Sequence, residues 1–234
     1  VIPLPHVFAL AQANTPALLG GLGMSLAVLG LSSVAGFAMS VPVALAAISR
    51  APWLRWPART FNTAFRGSPL FVQIFLIYFG LPMALARITG AEALRASVLW
   101  PLLASPFLLT LIAFSLNLAA YMAEDLRGGL QAVPRGELEA AQAAGMSYGP
   151  QVRRILLPRA IQLTLPSLFN QVILTFKATA LVNTVTLRDL LGVGNDMFSD
   201  TYDLTAYLIV GLIYLVCVYL MTVLFRSIER RISR

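Results

Sequence analysis

The sequence predicts an all-α integral membrane protein: five transmembrane helices, with one short surface helix between spans three and four. Three observations lead there. Hydrophobic residues make up 58% of the 234 and charged residues only 12%, against about 25% charged in soluble domains. The apolar residues gather in long runs nearly free of charge, each long enough for a membrane helix. The basic residues gather in alternate connections, as they do when a chain weaves through a bilayer.

Taken in order, residues 1–49 hold no Asp, Glu, Lys or Arg, and residues 18–50 form the first predicted span. Gly20, Gly21, Gly23, Ser32, Ser33, Ala35 and Gly36 give it a small-residue surface for close helix contact in lipid. Residues 8–13 end in Ala-Gln-Ala but lack a basic leader, so they read as an interfacial lead-in rather than a cleavage signal. The further spans fall at residues 60–86, 96–126, 160–187 and 204–226, the fourth interrupted only by Lys177. Between spans three and four, residues 134–146 form a charged helix: Glu, Ala and Gln favour it, Gly145 supplies the stop, and Pro158 opens the next element. Residues 189–203 read as the longest external connection, with Asp189, Asp196, Asp200 and Asp203.

Arginine placement orients the chain. Arg50, Arg55 and Arg59 follow span one; Arg127, Arg135, Arg153, Arg154 and Arg159 follow span three; Arg226, Arg230, Arg231 and Arg234 follow span five. The other connections hold Arg87, Arg95 and Arg188. The positive-inside rule therefore puts the N-terminus outside, with the C-terminus and the residue 134–146 helix in the cytoplasm. The net charge of +7 is spread over loops and forms no basic stripe with interleaved aromatics, so it reads as topology and not as nucleic-acid binding. Cys217 is alone and His6 is the single histidine, which leaves no disulfide and no Cys/His metal set. No G-x-x-x-x-G-K-[ST] string occurs, so the sequence shows no phosphate loop of its own.

Within that helix Glu139-Ala140-Ala141 is followed after three residues by Gly145, and after nine more by Ile155-Leu156-Leu157-Pro158. This spacing resembles the cytoplasmic coupling loop of permease subunits of ABC importers. The similarity extends over nearly the whole chain. Phe65-Arg66-Gly67-Ser68-Pro69-Leu70 with Gln73 and residues 78–82, then residues 120–124 with Arg127-Gly128-Gly129, resemble the polar amino acid branch. From Lys177 onward, through Thr179-Ala180-Leu181 and residues 186–190, the resemblance is to permeases for basic amino acids and opines. Many members read Lys-Asp-Thr-Ser-Leu where this chain has Ala178 and Ala180, so any contact made by that acidic side chain is missing here.

The resemblance implies a type I importer permease fold in a bacterial inner membrane. It further implies a four-part translocator of two permease chains and two ATPase subunits, fed by an extracytoplasmic solute-binding protein. The second permease is expected to be a homologous partner. ATP and magnesium would be bound by the ATPase, with no cofactor and no catalysis in this chain. Glu139, Ala140, Ala141, Gly145, Ile155, Leu157 and Pro158 are the expected ATPase-coupling residues.

Polar residues inside spans are costly and mark a candidate substrate path. By helical spacing, Asn62, Arg66 and Gln73 share a face of span two; Asn117, Tyr121 and Glu124 a face of span three; Asn170, Lys177 and Thr184 a face of span four. Thr179 joins the set. A zwitterion needs an anion for its ammonium, for which Glu124 is the candidate, and a cation for its carboxylate, for which Arg66 and Lys177 are candidates. Each has a second reading: Arg66 and Lys177 as side chains snorkelling to headgroups, Glu124 as the partner of Arg127 or Arg66. A secondary carrier or channel is the alternative function, though it would need a membrane-centred acidic relay, and Glu124 and Asp125 lie near a span end. A membrane hydrolase lacks a nucleophile–base set.

Overall fold

The computed structural model describes residues 4–232; Arg234, counted above among the basic residues, lies outside them. Helices follow one another along the chain, and among the described residues there is no strand. They are α1 (Leu4–Ala13), α2 (Thr15–Ala47), α3 (Pro52–Gly67), α4 (Leu70–Thr89), α5 (Ala91–Arg95), α6 (Trp100–Leu103), α7 (Pro106–Ala132), α8 (Arg135–Ala143), α9 (Tyr148–Val185), α10 (Leu190–Thr201) and α11 (Thr205–Ile232). Five of them, α2, α4, α7, α9 and α11, are long and apolar enough to cross a membrane.

The centre of the bundle is α2 against α7, with α9 on the other side of α7. Gly21, Ser25, Ser32, Gly36, Ser40, Ala44 and Ala47 recur in steps of three, four or seven residues along one face of α2, and all are buried. Small side chains let backbones approach where lipid removes the hydrophobic drive to associate. A Cβ at Gly36 would stand 3.1 Å from that of Leu118 on α7. Ala44, Leu118, Met122, Leu126, Leu130 and Leu168 then form the common core of the three helices.

Several predicted boundaries move, each for a local reason. The second span begins at Leu70, not at residue 60: Ser68 and Pro69 are extended (ψ 146° and 136°), which ends α3 and turns the chain into α4. Proline lacks the N–H and pushes the preceding residue out of the helical region. Asn62 and Arg66 therefore lie on a separate amphipathic helix and do not share a helix with Gln73. The third span starts at Pro106 rather than residue 96, because Ser105 caps it by accepting from the Leu108 N–H. Pro158 opens the regular α-helical stretch Leu157–Ala178, as the sequence predicts, but that stretch continues an earlier turn. Helix α9 begins ten residues earlier, and a π-helical turn over Val152–Leu156 accommodates the missing N–H of Pro158. The same helix tightens to 3-10 winding over Thr179–Val185.

The expected connection at residues 189–203 is largely helical. Asp189 caps α10 through the Gly192 N–H (2.8 Å) and is fully buried between α2, α10 and α11. Tyr214 donates to its other oxygen (3.4 Å), and Ser25 accepts from the Leu190 N–H (3.3 Å). Burial pushes the Asp189 carboxyl up from its ordinary range, against the opposing pull of the Gly192 and Leu191 N–H groups. Gly21 permits this closeness, since a Cβ there would lie 2.8 Å from the Asp189 carbonyl oxygen. His6 binds Asp203 at 2.6 Å and ties α1 to the start of α11. Bonds from Thr205 and His6 hold the Asp203 carboxyl down at about 2.

Candidate functional site

Two regions carry the residues singled out by sequence. The first is α8 and its return. Glu137 occupies the first turn, where an acid favours the helix dipole, and pairs with Arg159 of α9 at 3.3 Å. Leu138 and Ala141 turn inward onto α7 and α9, whereas Glu139, Ala140, Gln142 and Ala143 are exposed. The helix closes on a left-handed Gly145 (φ 76°): the Gly145 N–H donates to the Gln142 carbonyl (2.9 Å) and the Met146 N–H to that of Ala141 (3.0 Å). This is the Schellman arrangement, which requires positive φ at the residue after the cap. Ile155 and Leu157 are half-buried on the first turns of α9, and Pro158 is exposed beside them. A groove of about 920 Å³ lies between the end of α2, the start of α3, α8 and α9, with Leu45, Ile48, Leu138, Tyr148 and Leu156 on its walls. The result is a rigid, surface-displayed helix held by a fixed stop and one ion pair. It can bear on a partner, and it carries no acid–base or nucleophilic set.

The second region is the junction of α3, α4 and α7. Glu124 on α7 accepts from Arg127 Nε (3.0 Å) and Nη2 (2.5 Å) and from Asn62 Nδ2 (3.4 Å), with Arg66 Nη1 at 3.8 Å. The Arg66 guanidinium lies 5.5 Å above the Tyr121 ring, and the Tyr121 hydroxyl donates to the Arg66 carbonyl (3.4 Å). Thus the Glu124–Arg127 and Glu124–Arg66 pairs named as the second reading of Glu124 both form. An open cavity of about 580 Å³ lies over them, bordered by Arg59, Asn62, Thr63, Arg66, Glu124 and Arg127. Asn62 is 3% exposed and its Oδ1 has no hydrogen-bond partner.

Gln73 and Asn117 serve the backbone rather than the cavity. The α3–α4 break strips the last carbonyls of α3 of helical partners. Gln73 Nε2 covers those of Phe65 (2.7 Å) and Ser68 (3.0 Å), and Asn117 bridges Gln73 Oε1 (2.9 Å) to the Phe65 carbonyl (3.3 Å). Gln73, buried and bound on both sides, clamps the kink between α3 and α4. Thr179 is likewise fully buried, donating to the Phe176 carbonyl (2.7 Å). Lys177, Asn170 and Thr184 are exposed along α9, and no carboxylate lies within 4 Å of Lys177 among the described residues. Sequence reasoning passed over Gln171 and Thr175. With Asn117 and Tyr121 they border a cavity of about 200 Å³ between α7 and α9, where Gln171 donates to Asp125 (3.1 Å). Their four-residue spacing was a usable signal, but Asn170 next door drew the stripe onto the neighbouring face.

These features define a multi-pass α-helical membrane component that displays a rigid helix for a partner and carries polar cavities between its spans. The chain belongs to the family described as binding-protein-dependent transport system inner membrane component, whose profile matches residues 36–234. It is 41% identical to the octopine transport system permease protein OccM of Rhizobium meliloti over 214 residues, 91% of this chain and 84% of that protein. It is 41% identical to the arginine ABC transporter permease protein ArtM of Escherichia coli K12 over 182 residues (78% and 79%). To the histidine/lysine/arginine/ornithine transport system permease protein HisM of Salmonella typhimurium it is 37% identical over 212 residues (90% and 88%). Its fold superposes on the crystal structure of an amino acid ABC transporter with histidines (TM-score 0.82, 30% identity, 99% of both chains). It also superposes on the MetNI methionine ABC transporter in an inward-facing conformation (TM-score 0.75, 20% identity, 95% and 99%), a likeness of fold alone. The chain is a multi-pass inner-membrane protein whose role is transport rather than catalysis.

Proposed function

We propose that the chain is the permease subunit of an ATP-driven, binding-protein-dependent importer of polar amino acids, taking basic amino acids or opines. The observation that carries this reading is α8. Its Glu139 and Ala140 are exposed, Ala141 anchors it inward, and the left-handed Gly145 closes it. In this reading α8 is the coupling helix, and Ile155, Leu157 and Pro158 brace it from α9. Two ATPase subunits bind ATP and magnesium, and a homologous permease forms a heterodimer with this chain. A solute-binding protein delivers the substrate from outside, on the side of the N-terminus, and the C-terminus is cytoplasmic. The names of the relatives support the substrate class.

For the path, Asn170, Lys177 and Thr184 stand exposed along α9 among Leu163 and Leu174, and these polar side chains are turned to water or to the second permease. Lys177 meets the substrate carboxylate there, and the basic side chain is met by Glu124, on exchange of its arginine partners, or by the partner permease. ATPase closure moves the spans between two packings of similar free energy.

Purification of the chain with its natural partners tests the class. An ATPase subunit and a second permease should co-purify, with ATP hydrolysis stimulated by a binding protein loaded with arginine. A preparation that accumulates substrate with no ATPase present would overturn it.

A further inference from the structure

The start of helix α3 and the turn before it carry arginines that no carboxylate of the described residues compensates. No Asp or Glu precedes Glu92 in the chain. Arg50, Arg55 and Arg59 have no carboxylate within 4 Å among the described residues, and Glu124, the acid nearest this helix, is already taken by Arg127 and Arg66. Both ends of α3 are tied to the same face of the bilayer, because membrane-length helices enter it at Ala47 and leave it at Leu70. At about 100° per residue, Arg55, Arg59 and Arg66 form one stripe, while Trp53, Leu54, Pro57, Phe61 and Ala64 spread over the opposite side. Trp53 and Trp56 are 74% and 68% exposed, an unusual state for indoles that no neighbour covers. Arg59 is fixed in place by donating Nε to the Ala47 carbonyl (3.3 Å), which leaves its terminal N–H groups facing the cavity beside Asn62.

Trp53 lies opposite the arginine stripe and Trp56 on its flank, and an amphipathic helix carrying arginines beside indoles lies in the interface plane of a bilayer. Indoles sit at headgroup depth, and each arginine near an anionic surface adds about 1 kcal/mol of attraction. We infer that α3 is a docking site for anionic phospholipid, in which Arg50, Arg55 and Arg59 bind headgroup phosphates while Trp53 and Trp56 enter the interface. The occupant is a lipid rather than a partner protein, because the cationic stripe and the indoles meet at the membrane plane to which the flanking spans hold the helix. The site links lipid composition to the packing of α3 on α7, where Asn62 and Arg66 meet Glu124.

Brominated lipid quenching tests this in the assembled transporter, using a Trp100→Phe variant in which Trp53 and Trp56 are this chain's only indoles, with tryptophans of the partner subunits replaced by phenylalanine. In phosphatidylcholine nanodiscs, brominated phosphatidylglycerol at ~10 mol% should quench emission at least twofold more than brominated phosphatidylcholine at the same fraction, reflecting local enrichment from the attraction estimated above. Arg50→Gln with Arg55→Gln and Arg59→Gln should abolish the excess, and the matching three Arg→Lys changes should keep most of it, which separates loss of charge from loss of fold. Equal quenching by the two lipids in the parent protein would overturn the proposal. So would an excess that survives the glutamine changes, or indoles quenched by neither lipid because a partner protein covers them.

Discussion

Gly145 offers a perturbation whose size follows from geometry alone. Its φ of 76° lies in the left-handed region, yet a Cβ built there meets nothing within 4 Å. Substitution is therefore opposed by backbone conformation and not by crowding. An L residue with a Cβ loses about 1–2 kcal/mol in this region, asparagine and aspartate less, and a β-branched residue more. If α8 must keep its stop to seat on an ATPase, Gly145→Ala should weaken ATPase binding by roughly five- to thirtyfold. Gly145→Val should weaken it further, and Gly145→Asn should stay near the parent. Gly145→Asp tolerates the same backbone as asparagine but adds a charge to the docking face, so the difference between the two isolates electrostatics from conformation. Binding of the purified ATPase to the permease in nanodiscs measures the series, with coupled uptake as a second readout. Equal affinity for alanine, valine, asparagine and glycine would refute the argument that the left-handed stop matters.

Three further outcomes follow from packing and titration. Gly129→Ala places a Cβ 2.5 Å from Thr164 Cγ2 and 2.8 Å from the Ala160 carbonyl oxygen; the backbone oxygen cannot swing aside, so α7 and α9 must separate at a cost of about 1–3 kcal/mol. Thermal unfolding should show the loss, and Gly128→Ala, with open space around it, should not. Gln73→Leu should cost about 1–3 kcal/mol by stranding the Ser68 carbonyl and leaving that of Phe65 with only the Asn117 bond, and adding Asn117→Leu should depart from the sum because the two side chains share one hydrogen bond and one acceptor, which a double-mutant cycle by denaturation reads. For Asp189, a folded carboxyl raised above its unfolded value binds its proton more readily in the folded state. Its stabilising contribution is full below about pH 3.9, the unfolded value, and is lost as pH rises through the folded one. Asp189→Asn should keep the α10 cap and flatten that slope, whereas Asp189→Ala should lose about 1 kcal/mol, both measured as melting temperature against pH.

The parts of the fold legible in the sequence were those written as runs of apolar residues. Five stretches nearly free of charge mark five membrane-length helices, and the Glu139-Ala140-Ala141 segment with Gly145 marks a helix and its stop because composition and a left-handed glycine act locally. Boundaries set by proline were harder. Pro69 and Pro106 both interrupt an apolar pattern, and only the accompanying Ser68 and Ser105 geometry distinguishes a break from a start. Pro158 marks the start of the regular stretch Leu157–Ala178, but the π turn that joins it to the preceding residues has no signature in side-chain pattern. Long-range polar pairing was least accessible. Gln73 and Thr179 look like path residues on a helical wheel, but their partners are backbone carbonyls whose exposure depends on where neighbouring helices end. Asp189 reads as a solvated acid until the fold closes Gly21 and Tyr214 around it.

The central claim is that α8 transmits force from an ATPase on the face of the membrane opposite to α10. Cysteine crosslinking within the assembled transporter tests it most directly. In a Cys217→Ser background, a cysteine at exposed Ala143 should form a bridged product with the ATPase subunit, and its yield should change between ATP-bound and nucleotide-free states. A cysteine at exposed Ser199 on α10 should form none and should react with an impermeant thiol reagent from outside intact cells. A product from Ser199, or none from Ala143 under any nucleotide condition, would contradict the account.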